Sequence, residues 1–477
     1  MTRLCAATLV QARAVLPAYD RAGVTPGIVH LGLGNFHRAH QAVYTDDSLA
    51  ADPGWGIRGV SLRSAATTDA LREQDGLYTL GVQDAAGLRT RVIGAVVAAI
   101  SASNGMGPVL DALCDPATRV VTMTLTEKGY CRDGAGDLDV EHPDIRADRA
   151  APGTPISAPG LLSLALRLRR DAGVAPFTVL SCDNLPMNGE TTARIVTQMA
   201  ALTDRRLAAW ITANVAFPSC MVDRIVPATT EADRAAIAAA TGMRDAMPVM
   251  TEPFSQWVIE DVFPTGRPLW PGAQMVGDVA PFETMKLRML NGAHTTLACL
   301  GQLLGLETVA DAMGDAGVAR LVGRVMDQAA GTLDMPGVDL SAYAVALQAR
   351  FRNPALRHAT AQIATDTSQK IPQRLLAPIR AAREQGRPWD ALAVGVAAWV
   401  ALTRNLPAGD PLADTLAQIA RTHPEPAQHA GAVLNLSQIF GELTQADWFR
   451  GPVSAAAIRI ATDGAGAVLQ GSSAPRC

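Results

Sequence analysis

Lys286, Asn291 and His294 lie close together in the run PFETMKLRMLNGAH, which reads as a helix. At about 100° per residue they fall near 0°, 140° and 80° around the axis, one sector with the histidine between the other two. An amine, an amide and an imidazole on one face suit alcohol oxidation by hydride transfer. A lysine of lowered pKa can take the hydroxyl proton, an amide can hold the developing alkoxide, and a histidine can orient substrate or share the proton. The plainer alternative is a surface lysine, a packed histidine and an asparagine tolerated mid-helix. Composition weighs against it. Of the 41 lysines and arginines only three are lysine, Lys128, Lys286 and Lys370. An arginine cannot be deprotonated in a protein, whereas a buried lysine can shift its pKa and act as a base.

A second chemical signal is the run Gly27-Ile-Val-His-Leu31 followed by Gly32-Leu-Gly34, then a stretch, Asn35 to Ala50, that reads as helix. A glycine turn between strand and helix lets backbone approach a pyrophosphate at the helix N-terminus. Gly32 and Gly34 match the first two glycines of GxGxxG, while His37 stands where the third should be. The carboxylate that usually holds the cofactor ribose is missing after the run Ile57–Leu62; Arg63 follows, and it either meets a 2′-phosphate or caps the strand end. Asp183 and Asn184 follow the apolar run Phe177–Leu180, at the edge where open α/β sheets bind ligands. Thr126-Glu127-Lys128 follows another such run. Asp223-Arg224 is either a structural ion pair or part of a site.

These groups must be positioned by strands and helices in alternation. Apolar, β-branched runs at 56–62, 91–97, 119–125 and 177–182 with helical stretches between them indicate a parallel sheet wrapped by helices, an α/β fold. From Pro281 onward the texture becomes Ala/Leu/Arg-rich, and stretches 283–304, 309–331, 341–351, 354–366 and 388–403 read as helix. The expected division is 1–280 for an α/β dinucleotide-binding domain and 281–477 for a mostly helical one. Phe263 to Gly277, rich in proline and glycine, reads as the linker.

The chain has 477 residues, with a net charge of −4 and 48% hydrophobic residues, so a large core is available and neither nucleic acid nor an anionic membrane is an expected partner. The longest apolar run, Ala391 to Thr403, is shorter than the roughly 20 residues a membrane helix needs. No secretory h-region is evident at the N-terminus, and the seven cysteines are scattered without a CxxC pattern, which fits reduced thiols in a cytoplasm. Cysteines and histidines offer no compelling metal grouping, and no tyrosine precedes a lysine by four residues, as a short-chain dehydrogenase requires. Metal-free chemistry led by lysine is the expectation. Oligomeric state is not readable.

GIVHLGLGNFHRAHQAVY, LTEKGYC, FTVLSCDNLPMNG, MVDRIVP, EPFSQWVIED, GRPLW and MKLRMLNGAH, in this order, closely resemble the long-chain mannitol dehydrogenase family, which includes mannitol 2-dehydrogenases, arabinitol dehydrogenases and fructuronate reductases. The resemblance implies a Rossmann-type N-terminal domain, a mostly helical C-terminal domain and a metal-independent active site in the cleft between them. It implies Lys286 as general base, Asn184 and Asn291 as the pair holding the alkoxide oxygen, His294 as a substrate-orienting group and Asp223 beside nicotinamide and substrate. The stretch Ile28 to Ala39 (Ile28, Gly32, Gly34, Asn35, Phe36, His37, Arg38, Ala39) resembles the nucleotide-binding segment, where His37 is normal for the family. NAD is the expected cofactor, with NADP open. Family mannitol dehydrogenases often carry an acid near 65–66 and an arginine where Gln362 stands here; this chain has Ala65, Ala66 and Gln362. Lys128 and Lys370 are the cations that would suit a substrate carboxylate, as in fructuronate reductases. The expected substrate is a polyol, D-mannitol interconverting with D-fructose, narrowly ahead of D-mannonate and D-fructuronate; a non-catalytic dinucleotide-binding sensor is the outside alternative.

Overall fold

The computed structural model describes residues 1–356, 358–405 and 409–470. The chain divides into two compact units, Met1–Ala280 and Pro281–Cys477.

Five short strands of the first unit form a wholly parallel sheet, in the order Val96–Ser101, Gly56–Ser61, Pro26–Leu31, Val120–Met123 and Thr178–Ser181. Numbered along the chain this is 3-2-1-4-5, the order of a Rossmann-type fold, and it reverses direction between Pro26–Leu31 and Val120–Met123. Alternate residues feed opposite faces. Ile28, Ile57, Val96, Val120 and Leu180 join one apolar cluster, and Val29, Leu31, Val60, Val121 and Val179 join the other. Burial on both faces is why these runs are nearly continuous in apolar residues.

Three expectations about this unit are corrected. The run 91–97 is not one strand. Gly87–Ile93 pairs antiparallel with Tyr78–Asp84, and Val96–Ser101 begins the next parallel strand. The break falls at Gly94, whose N–H donates to the Asp46 carboxylate at 2.8 Å instead of to a ladder. The helix from Asn35 is interrupted at His40 (φ −123°, ψ −89°), leaving Asn35–Ala39 and Gln41–Ser48. The stretch 263–277 is no linker. Trp270 is buried with its ring 4.7 Å from that of Trp257, its Nε1 donates to Thr45 Oγ1 at 3.1 Å, and Gln274–Val276 pairs with the strand Gln256–Glu260. Burial of one large ring outweighs the local turn signals of proline and glycine.

Helices build the second unit. Gly292–Leu304 packs against Asp390–Leu402, which packs in turn against Asp447–Asp463. Gly395 permits the first approach, since a Cβ there would lie 2.4 Å from Thr296 Oγ1. The apolar run at 391–403 is thus a core helix, buried on nearly every side. Among the described residues no helix is long and apolar enough to cross a membrane. Among the described residues of the expected helix at 354–366, Thr360–Ala364 is helical; Asn353 Oδ1 accepts from Ala355 N–H at 3.1 Å around Pro354, in a turn. Two turns of this unit, Lys286–Asn291 and Pro372–Leu376, are π-helical and pack against each other.

Candidate active site

The glycine turn follows the central strand, at the reversal of strand order. Gly32 has φ +101°, and a Cβ on it would lie 2.1 Å from the Thr124 carbonyl oxygen. Both conditions demand glycine. Its N–H donates to Val60 O at 2.9 Å, and its carbonyl accepts from Thr124 Oγ1 at 2.8 Å, so the turn is pinned to both neighbouring strands. Gly34 is different. Its backbone is extended and the nearest atom to an added Cβ is Gly32 O at 3.8 Å, so the missing side chain leaves space rather than relieving a clash. That space belongs to a cavity of about 370 Å³ lined by Gly32, Gly34, Arg63, Thr126, Lys128 and Asp144, among others. An open, glycine-lined backbone turn at a sheet's reversal point fits a dinucleotide pyrophosphate.

His37 occupies the third glycine position by a different solution to close packing. It is fully buried, and its ring stacks on that of His30 with centroids 3.4 Å apart and an interplanar angle of 13°. His30 Nδ1 sits 2.8 Å from Thr122 Oγ1, and its Nε2 is 3.0 Å from both Gly32 O and Thr124 Oγ1. Burial pushes His30 down to about 3 and His37 well below the usual range, the latter helped by His30 and Arg38. Two neutral imidazoles therefore brace the turn from beneath.

Several residues carried over to the cofactor are not among those lining the cavity. Ile28 and Ala39 are core residues. Phe36 packs on His40. Asn35 Oδ1 accepts from Arg38 Nη2 at 2.6 Å, while Arg38, also buried, donates to Met247 O. Of the nucleotide set, Gly32, Gly34 and Arg63 line the cavity, and so does Lys128, which was read as a substrate group.

Asp183 is a clamp. Its carboxylate accepts from Leu125 N–H at 2.9 Å, Thr126 N–H at 2.9 Å and Tyr130 Oη at 2.7 Å, and burial outweighs these bonds to push its pKa up. It holds Thr126 at φ +65° and so fixes the loop that carries Lys128. Asn188, which sequence reasoning passed over inside FTVLSCDNLPMNG, is fully buried. It donates to Asp183 O at 3.0 Å and Cys220 O at 2.7 Å and accepts from Cys220 N–H at 2.9 Å. One amide thus ties the loop bearing Asn184 to the strand ending at Asp223. Arg224 is structural: it donates to Ala39 O and Glu252 O. One Cys/His/Asp grouping does exist among the described residues, Cys131, His142 and Asp144, with ligand atoms within 4.8 Å of one another. Two of the three are engaged, His142 Nδ1 with the Asp144 N–H and Asp144 with Arg63.

In the second unit the α-helical reading of Lys286, Asn291 and His294 is improved upon. Lys286–Asn291 is a π turn, whose bonds close over five residues, so Lys286 and Asn291 stand one turn apart where an ideal α-helix would splay them by about 140°. Gly292 follows, and a Cβ there would lie 2.7 Å from Arg374 O on the second π turn. His294 stacks near Phe351 (5.2 Å, 19°) and lies 4.9 Å from the ring of His358. Burial first, then the charges of His358, Arg350, Arg374 and Lys370, push it well below its usual range, so it is neutral at pH 7. Lys370 Nζ donates to Ile363 O at 3.1 Å and Thr365 O at 2.5 Å, and burial and Arg374 lower its pKa. Arg374 donates to Thr295 Oγ1 at 3.0 Å. Sequence reasoning missed Arg374, because a single arginine among many carries no signal until a helix places it beside a candidate histidine.

Comparison with known proteins agrees with this anatomy. Residues 26–272 match the mannitol dehydrogenase Rossmann domain, and residues 278–460 match the mannitol dehydrogenase C-terminal domain. The chain is 44% identical to the D-mannonate oxidoreductase of Escherichia coli (strain K12), over 98% of this chain and 99% of that one. It is 39% identical to the mannitol 2-dehydrogenase of Cereibacter sphaeroides, covering 95% and 98%. Among solved structures, the Pseudomonas fluorescens mannitol 2-dehydrogenase, a ternary complex with NAD and D-mannitol, superposes with a TM-score of 0.80 at 35% identity, covering 98% and 99%. A Rossmann-type sheet with a glycine turn, a helical unit bearing Lys286, Asn291 and His294, and matches along nearly the whole length place this chain in the mannitol dehydrogenase family of oxidoreductases.

Proposed function

We propose that the chain is an NAD-dependent dehydrogenase that oxidises one secondary hydroxyl of an open-chain sugar derivative to a ketone, with Lys286 as general base. When bound, the nicotinamide supplies the hydride acceptor. The Lys286 amine takes the hydroxyl proton, and Asn291, one π turn away, offers an amide N–H to the oxygen as negative charge gathers on it. His294, neutral, orients the substrate by a hydrogen bond. The roles of Asn184 and Asp223 follow from the family resemblance. This reading is supported by the placement of amine and amide on one π turn, a feature enriched at functional sites.

Between the two substrates, the second unit tilts the preference held from sequence toward the sugar acid, D-mannonate paired with D-fructuronate. The supporting observation is the cationic surround of His294. Neither Lys370 nor Arg374 has a carboxylate within ion-pair reach among the described residues, and Asp366 and Asp410 act on Lys370 only from farther off. Partly buried cations without a paired anion are costly to keep, and a substrate carboxylate would offset that cost. The identity to a D-mannonate oxidoreductase points the same way. D-mannitol is the second reading, carried by the mannitol 2-dehydrogenase relative. Steady-state assays with mannonate, mannitol, arabinitol and sorbitol decide: mannonate should lead in kcat/KM, and Arg374→Gln should raise its KM more than that of mannitol. A lead for mannitol that survives Arg374→Gln would return the polyol to first place.

A further inference from the structure

The strand Gly56–Ser61 ends beside the glycine turn, where Rossmann-type folds that take an unphosphorylated adenosine ribose usually present a carboxylate. The residues that follow, Leu62-Arg-Ser-Ala-Ala-Thr67, contain none. Arg63 and Thr67 line the cavity that opens on Gly32 and Gly34, and Lys128 lines it from the loop clamped by Asp183. The acid on that cavity, Asp144, comes from the first turn of a later helix, Pro143–Ala150. Its Oδ2 lies 3.6 Å from Arg63 Nη2, in a pair whose arginine side chain is 79% exposed. Such a pair contributes little and exchanges partners readily.

We propose that this cavity recognises a phosphate on the adenosine ribose, so that the chain takes the 2′-phosphorylated dinucleotide as well as NAD, with Arg63 as the phosphate ligand and Asp144 as its rival. Without the phosphate, Arg63 rests on Asp144, whose carboxylate keeps room to accept a ribose hydroxyl. A phosphate carries more charge than a carboxylate and can accept two parallel N–H bonds from a guanidinium, so it draws Arg63 away. Lys128 adds a second positive charge to the same cavity. The inference rests on the dinucleotide reading of the glycine turn and extends it to cofactor range.

Calorimetric titration of the full-length protein with 5′-AMP and with adenosine 2′,5′-bisphosphate isolates the contribution of the 2′-phosphate without any turnover. The bisphosphate should bind about tenfold more tightly at low salt. Arg63→Ala should abolish most of that ratio while leaving 5′-AMP affinity within about twofold, Arg63→Lys should keep part of it, and Asp144→Asn should enlarge it. Equal affinities for the two ligands in the unmodified protein, or a ratio unaltered in Arg63→Ala, would overturn the proposal while leaving the dinucleotide reading intact. Failure of both ligands and of NADH to bind would remove both.

Discussion

At Gly32 the main chain faces the cavity, and several side chains beneath and beside it hold it in place. Thr124, Val60 and the stacked pair His30–His37 pin a turn whose own residue contributes no atoms beyond the main chain. At Lys286 the arrangement is inverted. In the proposed mechanism the side chains do the chemistry, and the backbone beneath them adopts a π turn. Gly32 is intolerant because of its own φ and because an added Cβ would lie 2.1 Å from the Thr124 carbonyl oxygen, whereas Gly292, next to the lysine turn, is intolerant because a second π turn crosses it. The first constraint is conformational and local, the second is steric and tertiary. A phosphate cradle needs unobstructed N–H groups, which strand, turn and helix supply together; a proton-transfer site needs two side chains at a set separation, which a regular helix does not offer at a spacing of five.

Substitutions can break this contrast at either end. Lys286→Met should give the largest effect, lowering kcat for alcohol oxidation by about 10²–10⁴ and removing the rise of rate with pH, while NADH fluorescence titration shows little change. Near-normal turnover in that variant would sink the base assignment. Gly32→Ala comes next. Strain at φ +101° and the clash with Thr124 O should cost about 2–4 kcal/mol in urea unfolding, with dinucleotide binding lost as well.

Gly34→Ala sharpens the comparison, because nothing obstructs the new methyl group. Stability should move by less than about 1 kcal/mol while dinucleotide affinity falls, since the methyl group intrudes on the cavity alone. Gly292→Ala should cost about 1–3 kcal/mol through the Arg374 carbonyl and lower kcat more than it weakens nucleotide binding. Equal losses of nucleotide binding in the Gly34 and Gly292 variants would erase the contrast.

A last effect is in pH. His30 and His37 have folded-state pKa values below the unfolded value of about 6.5. Below that pH the unfolded chain binds more protons, so stability falls as pH falls, by about 1.4 kcal/mol per pH unit for each such histidine until its folded-state pKa is reached, near 3 for His30. Urea unfolding between pH 7 and pH 5 should show this slope, and His37→Asn should flatten it. A slope unaffected by that change would place the acid sensitivity elsewhere, His294 being the first alternative.

Much of the fold was legible. The β-branched runs, the glycine turn and the change of texture at Pro281 all depend on residue type along a short stretch. Errors fell where distant residues intervene: Asp46 takes the Gly94 N–H and splits one apparent strand in two, and Trp257 draws Trp270 inward so that a proline-rich stretch becomes core. At the site, Lys286, Asn291 and His294 were visible as types at a spacing, but the geometry drawn from an α-helical period was not the one that forms. Asn188 was passed over, and Asp183 was read as standing at a ligand-binding edge rather than as a clamp. Both stand in a quoted motif, yet their roles consist of bonds to Cys220, Leu125, Thr126 and Tyr130, which no local pattern announces.

By itself, then, the sequence determined which groups are available and which backbone turns are possible: a scarce deprotonatable amine, glycine where φ must be positive, alternation that builds a parallel sheet. Those follow from covalent chemistry and the sterics of neighbouring residues. Tertiary structure decided where the groups go. It placed Lys128 on the nucleotide cavity and Lys370 among the cations around His294, buried Arg38 against the Met247 carbonyl, and set Lys286 and Asn291 one π turn apart. Each outcome depends on contacts between segments far apart in the chain, whose energies are settled only when the elements pack.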